Sequence, residues 1–180
     1  MPIPYRIAVL VYIVNAQGQL LLLHRKKKPN KDMYSPIGGK LEQHAGESPY
    51  ACALREIREE IGVQLKLDDI RLMGIVSERA YASEAGGESH WLMFCFEVTR
   101  PLAVPLREFE EGRLEWVDPR KILELSIPST DRQVIWPLVQ RHSRLVGAPA
   151  GKPPCEGFFS VHIDCTDAKK FTVVQEEPHA

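Results

Sequence analysis

Glu56, Glu59 and Glu60 are three carboxylates within five residues. On a helix turning about 100° per residue they fall on one arc. Carboxylates so close repel, and each raises its neighbours' proton affinity. Such crowding is useful where cations are present, because hard divalent ions such as Mg²⁺ want clustered oxygen ligands. The alternative is a solvated acidic face balanced by Arg55 and Arg58. The preceding residues bear on the choice. Gly38, Gly39 and Lys40 lead through Glu42 and Gly46 into Glu47, and a glycine turn lets backbone carbonyls approach an ion closely. Loop and helix together would supply backbone oxygen, carboxylates and a lysine in one place.

The helix that must carry these groups has clear ends. Ser48 suits the N-cap, Pro49 the first helical position and Gly62 the position past the end. Tyr50, Leu54, Ile57 and Ile61 fall in one stripe, the expected core face, with the glutamates on the far side. Arg55 lies one turn before Glu59.

Around this helix the pattern is mostly strand. Tyr5 to Val14 and Leu20 to His24 are apolar runs flanking a turn at residues 16–19, which predicts a hairpin. Arg25 to Lys31 is a basic loop, and Ser35 to Gly39 a breaker-rich turn. Val63 to Leu67, Ile70 to Ser77, His90 to Thr99 and Arg113 to Val117 are expected strands, with a loop at Ala82 to Glu88. Pro119 to Leu125 is an expected short helix. Ser129 to Arg141 has helical spacing, with Val134, Ile135, Leu138 and Val139 on one side and Pro137 interrupting it. Val146 to Gly157 reads as a loop. Phe158 to Ile163 and Lys170 to Gln175 read as a closing strand pair. The order predicts a mixed α/β sandwich rather than alternating βαβ units. No repeat or internal boundary is visible, so one domain is expected over 1–180, with the strand pair at about 157–176.

Composition excludes several classes. With 180 residues, 44% hydrophobic and 26% charged, the chain suits a folded domain that needs no metal or disulfide merely to fold. Lys and Arg number 23 against 24 Asp and Glu, a net charge of -1. No global basic field exists, so no stable nucleic-acid complex is expected. Ile7 to Val14 follows Arg6 like a signal segment, but it is β-branched and no small-residue cleavage pattern follows. No run approaches the roughly 20 apolar residues of a membrane helix, so no membrane association is expected. Cys52, Cys95, Cys155 and Cys165 form no CxxC pair, which suits reduced thiols in a cytoplasmic protein.

The segment that begins at Gly39 resembles a Nudix box, of family pattern G-x5-E-x7-R-E-U-x-E-E-x-G-U, where U is aliphatic. Glu47 is followed by seven residues and then Arg55, Glu56, Ile57, Arg58, Glu59, Glu60, Ile61, Gly62 and Val63. Everything from Glu47 onward matches. Seven residues rather than five separate Gly39 from Glu47, an insertion of two around residues 43–45. The resemblance implies an α/β/α Nudix sandwich with a mixed sheet over most of residues 3–142. It implies Mg²⁺- or Mn²⁺-dependent hydrolysis of a nucleoside diphosphate linked to a further group. By the same resemblance Glu56, Glu59 and Glu60 match the metal-binding glutamates, and Gly39 the backbone carbonyl ligand. Arg55 matches the arginine that orients the glutamates, and Glu47 the glutamate supporting that network. The general base in this superfamily is a box glutamate or an acid from a later loop. Glu110, six residues before Trp116, matches a metal-binding glutamate of MutT-type members; the alternative is a surface acid. Arg25, ending the second strand, matches a phosphate-contacting arginine, with a solvated basic run as the alternative. Lys40 is a further candidate for substrate phosphate.

Arg113 to Asp118 and Ile127 to Arg132 resemble the closing region of MutT-like nucleotide hydrolases, and Gly157 to Val161 the last strand of the oxidised-purine nucleotide group. In that group a tryptophan and two aspartates read the purine. Ile127 stands near the tryptophan position, and only Asp131 matches an aspartate. Asp131 is therefore a candidate base acceptor or a helix N-terminal acid. Tyr81, Trp91, Phe94 and Phe96 could stack on a base or fill the core. The expected activity is nucleoside triphosphate pyrophosphohydrolysis, releasing a nucleoside monophosphate and pyrophosphate. The alternatives are an ADP-ribose or other nucleoside diphosphate-X hydrolase, and a nucleotide sensor without hydrolysis. Nudix proteins often pair, so a homodimer is expected by analogy.

Overall fold

The computed structural model describes residues 4–28, 30–82, 88–146, 157–167 and 170–176. Strand β1 (Tyr5–Tyr12) alternates between two cores. Val9 and Val11 join the core containing Ile57 of helix α1 (Pro49–Ile61). Ala8 and Tyr12 join the core containing Leu138 and Val139 of helix α2 (Trp136–His142). Strand β2 (Leu20–Arg25) alternates likewise, with Leu21 and Leu23 on the α1 side and Leu20 and Leu22 on the α2 side. A strand buried on both faces reads as a continuous apolar run, as both do. The helices therefore sandwich the strands, the α/β/α arrangement expected. No helix among the described residues is long and apolar enough to cross a membrane.

Two sheets share this interior. The remaining strands are β3 (Tyr34–Ser35), β4 (Ile70–Ala82), β5 (Glu88–Val98), β6 (Gly112–Val117), β7 (Phe159–Asp164) and β8 (Thr172–Gln175). The larger sheet has the order β1-β5-β4-β7-β8 and is mixed: β1 runs parallel to β5 and β4 parallel to β7, while the β5/β4 and β7/β8 pairs are antiparallel. The smaller sheet, β3-β2-β6, is antiparallel.

The first expected hairpin exists only at its closed end. Asn15 and Gln19 close the turn, and Val14 bridges to Leu20. Beyond that point β1 joins one sheet and β2 the other, since each has an apolar partner strand of its own. Val63 to Leu67 is not a strand. Its end winds into a 3-10 turn at Leu67–Asp69, where the Asp69 carboxylate accepts the Lys66 N–H at 2.9 Å. That local bond competes with strand pairing. The loop expected at Ala82 to Glu88 falls largely outside the described residues, as does most of Val146 to Gly157. Pro119–Glu124 is a short 3-10 helix. Pro137 leaves its mark: Asp131–Ile135 winds as a π-helix before α2. Trp136 N–H reaches back to Asp131 O, and the proline follows, lacking a donor of its own.

Helix α1 has the ends its sequence dictates. Ser48 Oγ accepts the Ala51 N–H at 3.2 Å, and Gly62 ends the helix at φ 74°. Its buried face differs from the expected stripe. Cys52, Ala53, Ile57, Glu60 and Ile61 are buried, while Tyr50 is exposed and Leu54 half-buried. The helix is rolled so that Glu60 turns inward. The three glutamates are therefore not one solvent-facing arc.

Candidate active site

Residues 36–41 lie along the outer edge of β1. Ile37 bridges Val11 and Lys40 bridges Ala8, both antiparallel. This pairing brings Gly38 and Gly39 against α1. Gly38 demands glycine, whereas a side chain at Gly39 would have to displace a carboxylate. A Cβ on Gly38, whose φ is 147°, would meet Val9 O at 2.1 Å, and one on Gly39 would meet Glu56 Oε1 at 2.2 Å. The loop is thus packed flat onto a site carboxylate.

Arg55 organises the acids. Its Nε and Nη2 donate to Glu47 Oε1 and Oε2 at 2.8 and 2.9 Å. Its Nη1 donates to Glu56 Oε1 at 2.7 Å and Glu59 Oε2 at 3.2 Å. Nη2 also reaches the Lys40 carbonyl at 3.1 Å. Glu47 accepts the Glu42 N–H at 2.9 Å as well. The arginine, aided by that backbone donor, holds the Glu47 carboxyl down to about 2, and its acidic partners raise Arg55 in turn. The two-residue insertion is accommodated as a 3-10 turn at Gln43–Ala45, which leaves Glu42 facing Glu47.

Glu56 and Glu60 are strained by burial. Burial raises the Glu56 carboxyl, against the pull of Arg55. Burial, reinforced by the charge of Glu56, pushes Glu60 up to about 8. Glu60 Oε2 accepts the Gly38 N–H at 3.2 Å, and Oε1 is buried without a hydrogen-bond partner. A buried orphan carboxylate oxygen beside a second carboxylate lacks a cation. The donor set of Glu56, Glu59, Glu60 and the Gly39 carbonyl fits a hard divalent ion. Among the described residues no three such groups already converge as a finished ligand set. Arg55 draws Glu56 and Glu59, while Gly38 holds Glu60. The Gly39 carbonyl accepts the Val9 N–H at 2.9 Å, and among the described residues its second lone pair meets only the weak Cys52 thiol donor at 3.9 Å. When bound, such an ion neutralises diphosphate oxygens and acidifies a water.

A cleft of about 380 Å³ opens from this cluster. Gly38, Gly39, Lys40, Glu56 and Arg25 line it together with Trp91, Glu78, Thr130 and Asp131, and the charges of Glu56, Glu111 and Arg25 act on Glu60 while Thr130 and Asp131 act on Glu78. The expected phosphate contacts Arg25 and Lys40 and the expected base contact Asp131 thus share one cavity. Asp131 also sits in the first turn of its helix, so both roles foreseen for it are compatible. Burial pushes its carboxyl up to about 7. Of the aromatic residues, Trp91 lines the cleft beneath the Arg6 guanidinium, Phe96 is fully buried core, and Phe94 packs half-buried against the α1 core. The Tyr81 side chain lies outside the described residues.

Glu110 is not brought to the cluster. Its side chain is 84% exposed and paired with Lys27. Lys26 pairs in the same way with Glu108, so the basic loop is tied to residues 108–110. The neighbouring Glu111 lines the cleft instead, and its charge raises both Glu56 and Glu60. Its backbone is fixed by the Lys26 N–H at 2.8 Å, immediately before β6. Glu111 lies five residues before Trp116. Two further residues escaped the sequence reading. Arg107 Nη2 donates to the Glu59 and Glu60 carbonyls at 2.8 and 2.6 Å, capping the end of α1. Glu78 occupies a core-facing position of β4, two residues after buried Val76. A charge in that phase of a strand was the available signal. Cys52, Cys95 and Cys165 are buried free thiols, and Cys155 lies outside the described residues.

Comparison with known proteins agrees with this geometry. The NUDIX domain family model matches residues 4–136. An uncharacterized Nudix hydrolase, YvcI, of Bacillus subtilis is 29% identical over 68% of this chain and 73% of its own. An RNA pyrophosphohydrolase of Rhodospirillum rubrum is 30% identical over 70% of this chain and 80% of its own. Among solved structures, a MutT protein from Bacillus halodurans superposes with a TM-score of 0.68 at 26% identity, covering 96% of this chain and 99% of that one. With the capped glutamate helix, the glycine loop and the arginine hub in place, the chain belongs to the Nudix family of hydrolases, pyrophosphohydrolases that work with a divalent metal.

Proposed function

We propose that the protein is a Mg²⁺-dependent nucleoside triphosphate pyrophosphohydrolase of MutT type, releasing a nucleoside monophosphate and pyrophosphate. One observation carries this reading. One cleft of about 380 Å³ is lined by Glu56 and Glu111 of the acidic cluster, by the basic Arg25 and Lys40, and by Trp91, Met93 and Asp131. That volume suits a nucleotide. The charges suit phosphates lying over metal ions and a neutral heterocycle beside Trp91. Glu56, Glu59 and Glu60 hold the metal, assisted by the Gly39 carbonyl. Glu47 and Arg55 orient them. Glu111, rather than Glu110, is the later acid of the site. The resemblance to a MutT structure over nearly the whole chain supports the reading. The buried free thiols suit the cytoplasm.

A second reading follows from the relatives named RNA pyrophosphohydrolase. It places a triphosphorylated RNA end in the same cleft. The deciding experiment is a panel with Mg²⁺ and product identification. The panel holds the nucleoside triphosphates, ADP-ribose and a 5′-triphosphorylated oligoribonucleotide. Release of pyrophosphate from free triphosphates supports the first reading. Failure on every free triphosphate ends it.

A further inference from the structure

The larger sheet ends at β8, and that margin is undefended. Among the described residues no strand lies on its far side. Thr172, Val173, Val174 and Gln175 are all exposed, Val173 by 47% and Val174 by 49%. Edge strands are ordinarily protected from further pairing by a charge, a proline or a bulge. None of these interrupts β8, and threonine and valine favour strand pairing. Charges stand only at its two ends, Lys170 before the strand and Glu176 after it, both exposed.

The ladder fixes which groups face outward. The Glu176 N–H donates to Ser160 O at 2.8 Å, and Val174 lies opposite His162. Bonding direction alternates along an antiparallel strand. Thr172 and Val174 therefore bond toward β7, and Val173 turns its N–H and C=O to the open margin. Its side chain shares a face with buried Ile163, its neighbour in register. A valine at the rim of the α2-side core is thus left uncovered.

We propose that β8 is a homodimer interface, pairing antiparallel with β8 of a second copy about a two-fold axis at Val173. The two Val173 residues then exchange both of their backbone hydrogen bonds. The charges select this register. With Val173 opposite itself, Lys170 faces Glu176 of the partner subunit, and symmetry gives that ion pair twice. The neighbouring registers that keep outward groups opposed set Lys170 against Val174, or Glu176 against Thr172. Each loses both ion pairs. In-register parallel pairing sets like charges side by side. The strand's own sequence is therefore its complement, which makes a second copy the occupant. The pairing would join two five-stranded sheets into one. Neither the cleft nor a metal ligand takes part, so the proposal is independent of the substrate.

Sedimentation of the full chain at low salt, across a concentration series, tests it. An edge of this length is a small contact, so a dissociation constant on the order of 10 µM is expected. Lys170→Glu and Glu176→Lys should each weaken pairing about 10-fold, and combining them should restore it. Both positions are exposed, so the fold is kept. Val173→Cys should cross-link two chains on mild oxidation, because paired Cα atoms would lie about 5.5 Å apart. Thr172→Cys should not exceed the wild-type background, because its two copies are not opposed. A chain that stays monomeric up to about 500 µM leaves the margin to a different occupant and overturns the proposal. A dimer indifferent to both charge reversals, or cross-linked as readily through position 172, overturns it as well.

Discussion

Arg55 grips Glu47 with two parallel hydrogen bonds, Nε to Oε1 at 2.8 Å and Nη2 to Oε2 at 2.9 Å. This fork leaves Nη1 aimed at Glu56 and Glu59. A lysine cannot reproduce it, because an ammonium has no planar fork. Arg55→Lys should keep the fold and lower kcat about 10- to 100-fold, the usual effect of losing a group that orients metal ligands. Steady-state kinetics with circular dichroism checks this, and wild-type kcat in the variant would contradict it.

The buried Glu60 makes stability depend on pH and metal. Its folded-state carboxyl sits at about 8, above the ordinary value of 4.5. The folded form therefore binds more protons than the unfolded form between those values. The contribution of Glu60 to metal-free stability is present below about pH 4.5 and is lost as pH rises through about 8. Mg²⁺ should reverse the loss by binding the ionised form. Thermal unfolding at pH 6 and pH 8 in chelator should show the decline. Added Mg²⁺ should raise Tm more at pH 8. Glu60→Gln should flatten the profile and abolish turnover.

Gly39→Ala tests the contact between loop and acid. The new methyl would meet Glu56 Oε1 at 2.2 Å, so the carboxylate must move. Turnover should fall at least about 100-fold, in line with a 1 Å misplacement at a reacting centre. A variant with unchanged kcat and Mg²⁺ dependence would mean that Glu56 can move without consequence.

Glu110 and Glu111 are adjacent, and the structure assigns them opposite surroundings. Glu110→Gln removes only an exposed, solvent-screened pair with Lys27. It should leave kcat/KM close to normal. Glu111→Gln should lower kcat/KM about 10- to 100-fold if it serves the metal or the water. Parallel assays of the two variants decide. The opposite ranking would restore Glu110 to the site.

Arg107 holds the carbonyls of Glu59 and Glu60. Arg107→Ala should cost about 1–3 kcal/mol, the worth of charged hydrogen bonds at a helix end. It should also raise the Mg²⁺ concentration for half-maximal activity by loosening the last turn. Urea unfolding and a Mg²⁺ titration check the two effects separately.

The helix and its chemistry were legible in the sequence because local rules decide them. Ser48, Pro49 and Gly62 end α1 through their own backbone preferences. The spacing of Arg55, Glu56, Glu59 and Glu60 is fixed by helical geometry. What was not legible depends on tertiary placement. The roll of α1 that buries Glu60 and exposes Tyr50 goes with the Gly38 N–H bond to Glu60 and the packing of Ile57 and Ile61, which no periodicity reveals. That Glu111 rather than Glu110 faces the cleft depends on where β6 begins. Glu78 was missed because the expected strand stopped at Ser77, one residue short of it.

Strand β7 pairs alongside β4, and Ile163 lies in register with Glu78. Without that neighbour β4 would be a sheet margin, open to water next to Glu78. The family match ends at residue 136, and β7 begins at Phe159. The segment that carries the metal chemistry is therefore distinct from the one that keeps this carboxyl dry. The tail acts as an electrical insulator for a residue more than eighty positions upstream. Changes there can retune Glu78 without touching a single metal ligand.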